Sequence, residues 1–375
     1  MRQLSLGERL KNADWLLLGL GVLLAVVGVS AVRIAEEGEI RYGAIQLRWA
    51  VIGIAMCLLM LAVPYRHVVQ WRWLWYVGGV MLLLLVLVAG RGKSAGRWIE
   101  VGSFRMQPSE VMKLVLVVTL AGYIRYGKGH RTFRGLATPL AITLIPFLLI
   151  MKQPDLGTAL LLLPVLFVML YVAGANRGHL GLVAGAGLTA GLVLFFTPGL
   201  LNEYQKDRVR AFLLQGSDDT ALTRSHNHQI RASKTVVGTA SFFGSGSGEE
   251  TQEALRFLPE RHSDFIFPVV IHAYGLAGAT LLFMLYLLFI GLILRTALKV
   301  REPSGRLLAV GVACLFACQM VINLGMTLGL LPIVGMPLPF LSYGGSSMLV
   351  SFMALGLVLN VGSDHPVEFG RGDFD

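Results

Sequence analysis

"WLLLGLGVLLAVVGVSAV", residues 15–32, runs for eighteen positions without a charged side chain. At 1.5 Å per residue such a run spans about 27 Å as a helix, close to the hydrocarbon thickness of a bilayer. It is too long for the apolar region of a signal peptide and lacks a small-residue cleavage pattern, so no cleavable leader is expected. The same composition recurs along the chain. Of 375 residues, 55% are hydrophobic and only 14% charged, with a mean hydropathy of +0.68; soluble domains carry about 25% charged residues. Runs of spanning length lie near 14–32, 47–64, 73–90, 109–124, 136–151, 157–173, 178–198, 265–294, 307–331 and 346–362. Helices are the one non-barrel structure that satisfies its own backbone in lipid. The expected fold is therefore an all-α polytopic membrane protein of about ten transmembrane helices, a single domain over 1–375. Pro64, Pro146, Pro164 and Pro198 break or bound several runs.

Basic residues in the short connections set the orientation. The N-terminus and alternate loops hold fifteen Lys and Arg, the opposite short loops eight. Both termini are expected in the cytoplasm, and the long 199–264 segment outside, between spans seven and eight.

Several outer-face stretches are more polar than a connection requires. "RGKSAGRWIEVGSFRMQPSEVMK" (91–113) sets Arg97 in a basic loop, then places Glu110 and Lys113 three apart inside the next span. Such a pair can neutralise itself, but charge within the membrane is costly enough to signal function. "KQPDLGTALL" (152–161) puts Asp155 before span six, where it reads equally well as a helix cap. "PIVGMPLPFLSYGGSSML" (332–349) carries three prolines, three glycines and Ser342 at membrane depth. Irregular backbone is tolerated there only where protein buries it or it lines a wet cavity. "LPERHSDFIF" (258–267) brings Asp264 to the mouth of span eight, with Pro259 turning the chain and Phe265 and Phe267 anchoring it. Its plain alternative is an interfacial helix cap by Ser263 or Asp264.

Together with "YQKDRVRAFL" (204–213) and "INLGMTLGL" (322–330), these stretches resemble the successive signatures of the SEDS (shape, elongation, division, sporulation) family, in family order and spacing. Gln153 and Arg261 bring the chain nearer the elongation branch, RodA, than the division branch, FtsW. The resemblance implies a peptidoglycan glycosyltransferase of the bacterial plasma membrane. Its substrate would be lipid II and its partner a class B penicillin-binding protein acting as transpeptidase. It also implies that Asp264 is the catalytic residue, with Glu110, Lys113 and Arg97 at family positions. One departure stands out: where the family carries a Glu-Glu pair, this chain has His272 and Ala273, preceded by Pro268.

The implied chemistry can be reasoned through. An α-linked sugar pyrophosphate becomes a β-1,4 linkage in one inverting displacement. One carboxylate then suffices to take the proton of the attacking hydroxyl, and fixed cations stabilise the leaving pyrophosphate. Asp264 fits as the base. Arg97, Lys113, Arg208, Arg210 and Lys234 fit as phosphate contacts, with Asp155 and Ser342 on the same cavity. A divalent cation, Mg or Mn, would help bridge the pyrophosphate; its ligands are not assigned, and neither an organic cofactor nor a nucleic-acid partner is expected. Two other readings use the same features. One is a transporter of lipid-linked precursors, which the outer-face clustering of the motifs and the lack of a clear internal repeat disfavour. The other is a non-catalytic scaffold. Cys57, Cys314 and Cys318 lie within spans and read as apolar packers. His226 and His228, near Asp218 and Asp219, lack further zinc ligands. "SFFGSGSGEETQ" (241–252) reads as a flexible surface turn, and His272 as a packing residue.

Overall fold

The computed structural model describes residues 5–36, 41–89, 96–101, 104–126, 129, 132–197, 206, 208, 210, 212, 221–256 and 258–364. In chain order these form α1 (Leu6–Asn12), α2 (Trp15–Ile34), α3 (Tyr42–Ala62), α4 (Tyr65–Gln70), α5 (Arg72–Ala89), β1 (Ile99–Val101), β2 (Phe104–Met106), α6 (Pro108–Tyr126), α7 (Ala137–Lys152), α8 (Leu156–Val172), α9 (Arg177–Phe196), α10 (Ala221–Thr239), α11 (Glu249–Leu255), α12 (Ile266–Lys299), α13 (Pro303–Thr327) and α14 (Gly345–Ser363). The two strands pair antiparallel, Ile99 opposite Met106. Each of the ten apolar runs falls on a helix. Among the described residues, six helical stretches are long and apolar enough to cross a membrane: α2, α3, Arg134–Lys152, α12, α13 and α14. The shorter Arg72–Val88 and Leu156–Val172 are also apolar. Apart from the short β1–β2 hairpin the chain is helical, a multi-pass membrane protein.

Local chemistry explains where the helices start. Ser5 and Glu8 form a reciprocal capping box on α1, and Asp14 caps α2 through Leu17 N–H at 3.2 Å. Glu302 caps α13 through Gly305 N–H at 2.7 Å, with Pro303 in the first turn, where its missing N–H is no loss. Pro146 and Pro164 lie inside α7 and α8 and do not end them, as neighbouring helices in a bundle permit. Pro268 sits in the first turn of α12, ahead of the first intrahelical donor.

The bundle is built around α13 and α14, whose faces are the most fully buried. α14 lies along α3, and α13 along α12. The α3–α14 crossing is close: a β-carbon on Gly356 would stand 2.5 Å from the Cys57 carbonyl oxygen. Small residues allow such approach where lipid supplies no hydrophobic drive. Cys57, Cys314 and Cys318 are free thiols, in keeping with a packing role.

α12 is kinked at Gly275, whose φ of 72° breaks the helical run. The backbone freed there is taken up by the 241–246 stretch. Ser245 and Gly246 N–H donate to the His272 and Ala273 carbonyls at 3.0 Å, while Leu276 and Ala277 donate back to Ser241 and Phe242. The stretch expected to be a flexible turn is thus clipped to α12, and its continuation is helix α11. His272 is buried and faces Thr251 of α11, Nδ1 to Oγ1 at 3.3 Å.

Hydrogen bonds join the helix ends in two separate sets. At one end, Arg9 reaches Asn360 (3.2 Å) and Asp364 (3.3 Å), Tyr65 reaches Glu302 (3.1 Å), and Arg125 pairs with Glu302 (2.7 Å). At the other, Arg261 reaches the Ala35 carbonyl, Arg97 the Gln153 carbonyl, Gln46 the Ser342 carbonyl, and Gln107 Asp155. About 30 Å of α13 separates Glu302 from Asn323. The polar motifs share the second end.

Candidate functional site

Asp264 is carried on a tight turn. The Glu260 carbonyl accepts the N–H groups of Ser263 (3.1 Å), Asp264 (3.1 Å) and Phe265 (3.3 Å), and Glu260 itself sits at φ 48°. A non-glycine residue in that region is strained and persists where surrounding structure enforces it. Phe265 and Phe267 are buried and anchor the turn. The N-cap of α12 is Phe265, with no side-chain cap bond, so neither Ser263 nor Asp264 caps the helix. The Asp264 carboxyl is left available for other work.

Its walls come from three other segments. Gly335 (φ 69°) faces the carboxyl; a β-carbon there would lie 3.0 Å from Oδ2. Asn323, fully buried on α13, donates to the Asp264 carbonyl at 3.1 Å and to the Met336 carbonyl at 2.7 Å. Tyr343 N–H donates to the His262 carbonyl at 2.8 Å, and the His262 ring stacks on Tyr42 with centroids 4.4 Å apart. Burial pushes the Asp264 carboxyl up to about 6; Glu260 and Asp155 push the same way, while Arg208 and Arg97 pull it down. Burial, with Arg261, lowers His262 against the opposing pull of Glu260 at 3.9 Å. A carboxylate titrating near 6 is ionised at neutral pH yet more basic than a surface one, as a general base requires.

The other sequence-derived candidates fall into distinct places. Asp155 caps α8 by accepting Thr158 N–H at 3.2 Å; its second oxygen accepts from Gln107 (2.9 Å) and Ser109 (3.1 Å). Arg97 donates to the Gln153 carbonyl at 2.8 Å and to the Pro154 carbonyl, fixing the turn before Asp155 while its charge still reaches Asp264. Glu110 and Lys113 close on each other at 2.7 Å in the first turns of α6, both buried. Ser342 is a structural turn residue: its hydroxyl accepts Leu338 N–H at 2.8 Å, and its carbonyl accepts from Gln46 at 2.9 Å. Arg208 is half-buried, Arg210 is exposed, and Lys234 lies exposed against the Gly329 turn that ends α13. Among the described residues no three His, Cys, Asp or Glu side chains gather to hold a metal ion. The His226 side chain, Asp218 and Asp219 lie outside the described residues.

Sequence reasoning missed Asn323, Gly335, Gln107 and Ser346. Ser346 accepts Gln107 N–H and donates to the Arg105 carbonyl, both at 3.1 Å, tying β2 to α14. The signal for Asn323 was present: an amide inside an otherwise apolar run.

The arrangement is one carboxylate of raised basicity, within the field of two guanidinium groups, where several helix ends meet. Comparison with known proteins identifies the family. The family profile of FtsW, RodA and SpoVE cell cycle proteins matches residues 10–365. The probable peptidoglycan glycosyltransferase FtsW of Trichlorobacter lovleyi is 34% identical over 366 residues, 94% of each chain. The peptidoglycan glycosyltransferase MrdB of Escherichia coli is 33% identical over 344 residues, 91% of each. A chain solved in a study of how a peptidoglycan synthase complex coordinates polymerization and crosslinking superposes with a TM-score of 0.80 at 29% identity, covering 94% of this chain and 98% of that one. The chain belongs to the SEDS family, the FtsW, RodA and SpoVE proteins.

Proposed function

We propose that Asp264 is the general base with which this chain polymerises lipid II into β-1,4 glycan strands during elongation and shape maintenance. The chain is a peptidoglycan glycosyltransferase of cell-wall synthesis, as its curated relatives are. The observation that carries the residue assignment is the Asp264 carboxyl: uncommitted to capping, faced by Gly335, pushed up to about 6 by burial, and within the field of Arg208 and Arg97.

In this reading the acceptor sugar hydroxyl attacks the anomeric carbon of the donor from the face opposite the pyrophosphate. Asp264 takes the hydroxyl proton as the new bond forms. The bond from the anomeric carbon to the pyrophosphate breaks with inversion, and the lipid pyrophosphate leaves with the electron pair. Arg208, Arg210 and Lys234 meet the leaving phosphates from the outer segment. Arg97 and Asp155 hold the floor of the site through the backbone and Gln107, Glu110–Lys113 sits within the first turns of α6, and Ser342 shapes the roof. A divalent cation, Mg or Mn, would help bridge the substrate's phosphates.

The two separate sets of helix-end contacts support ten crossings with both termini at one end of the bundle; the fifteen-to-eight bias of basic residues supports placing that end in the cytoplasm and 199–264 outside the bacterial plasma membrane. The crosslinking activity in the solved synthase complex supports a class B penicillin-binding protein as partner. The test is purified protein with lipid II, read as glycan polymer on a gel. Wild type should polymerise and Asp264→Asn should not, although it folds; near-normal polymer from the variant overturns the assignment.

A further inference from the structure

We infer that Asn323 is a positioning residue for the Asp264 carboxylate: one buried amide holds both the turn that carries it and the segment that roofs it. The inference rests on the reading of Asp264 as the base.

The two amide hydrogens go to two different segments. One reaches the Asp264 carbonyl at 3.1 Å, the other the Met336 carbonyl at 2.7 Å. Met336 follows Gly335, whose α-carbon faces Asp264 Oδ2 so closely that a methyl group would stand 3.0 Å away. Asn323 therefore fixes the gap between the carboxyl and its roof from a rigid helix, where supporting side chains hold reactive groups best. Because both contacts are to carbonyl oxygens, the nitrogen must point at them, and the amide orientation is not ambiguous. Its own carbonyl oxygen finds no hydrogen-bond partner among the described residues, although it is buried.

The charges acting on Asp264 are Glu260 on its own turn, Arg208 from the outer segment, and Asp155 and Arg97 from the 97–155 region; His262 and Arg261 sit on the same turn. Changing the gap alters how the carboxyl is hydrated against this fixed surround. Loss of the amide in Asn323→Leu loosens the turn and admits water. The acid limb of the kcat profile, near pH 6 in the wild type, then moves down toward the ordinary carboxylate range. Gly335→Ala crowds and dehydrates the carboxyl from the opposite wall, so its limb moves up. In both, kcat falls by about a hundredfold, the scale of a small misplacement of a reacting group, while KM for lipid II changes little.

The experiment measures kcat and KM for lipid II against pH for wild type, Asn323→Leu, Asn323→Ser, Gly335→Ala and Asp264→Asn. Opposite displacements in the Asn323 and Gly335 variants support the inference. Unchanged limbs with near-normal kcat overturn it. If Asn323→Leu does not fold, Asn323→Ser, which keeps one short donor, carries the test: an unmoved limb there counts against positioning. An active Asp264→Asn would sink the base assignment itself, an outcome distinct from inert Asn323 variants beside a dead Asp264→Asn.

Discussion

Asp264→Asn should make the protein more stable at neutral pH while abolishing its activity. The folded chain holds this carboxyl at about 6, against 3.8 for an unperturbed aspartate. A carboxyl raised on folding favours the protonated native state. Its contribution is fully present below the unfolded value and is lost as pH rises through about 6. At pH 7.5 the ionised group therefore costs the native state about 2 kcal/mol, after a reduction for its partial contact with solvent. Asparagine is isosteric and neutral, so the cost disappears. The variant should melt a few degrees above the wild type at pH 7.5, with the gap closing as pH falls to about 4.5. Differential scanning fluorimetry in detergent at a fixed scan rate, on preparations also assayed with lipid II, provides the measurement. A gap that is the same at both pH values, or a variant that melts lower at pH 7.5, would refute the argument that burial strains this carboxylate. A stable but inactive variant would place the group where function opposes stability.

The Glu110–Lys113 pair should separate folding from turnover. Lys113→Met alone leaves a buried carboxylate and should destabilise by about 3–5 kcal/mol, whereas Glu110→Gln with Lys113→Met should fold as well as wild type or better. We expect that double variant to polymerise poorly, since the ammonium has two further donors to offer a substrate oxygen; full turnover with unchanged melting would make the pair purely structural. Arg208→Ala should move the acid limb of the rate profile upward, because its charge helps keep Asp264 ionised; an unmoved limb counts against it. A cysteine at Gly248 should react with an impermeant thiol reagent in intact cells and one at exposed Arg301 should not, while the reverse pattern overturns the orientation.

What could be read from the sequence depended on the range over which each feature is encoded. The helices were legible because a helix in lipid announces itself by apolar length alone, and all ten apolar runs fall on helices. The Glu110–Lys113 pair was legible because three residues of helix bring the two groups together whatever surrounds them. Asp155 as a cap was legible for the same local reason. Asp264 stood out only through its resemblance to a family position. What sets its chemistry is not local: Asn323 is 59 positions away, and Gly335 lies in a different segment again. Neither contact leaves a periodicity or a composition shift. The same limit explains 241–246, which looked like loose surface because Gly and Ser dominate it. Its order comes from carbonyls and amides exposed by the Gly275 kink some thirty positions on, and a partner of that kind is visible only once the helix is seen to bend. Arg97 is the most instructive case. Its position suggested a cation offered to phosphate, yet two of its donors hold the Gln153 and Pro154 carbonyls. A guanidinium so tethered acts on the reaction by fixing the turn beneath Asp155 and through its field at Asp264. Its loss should therefore weaken turnover more than substrate binding.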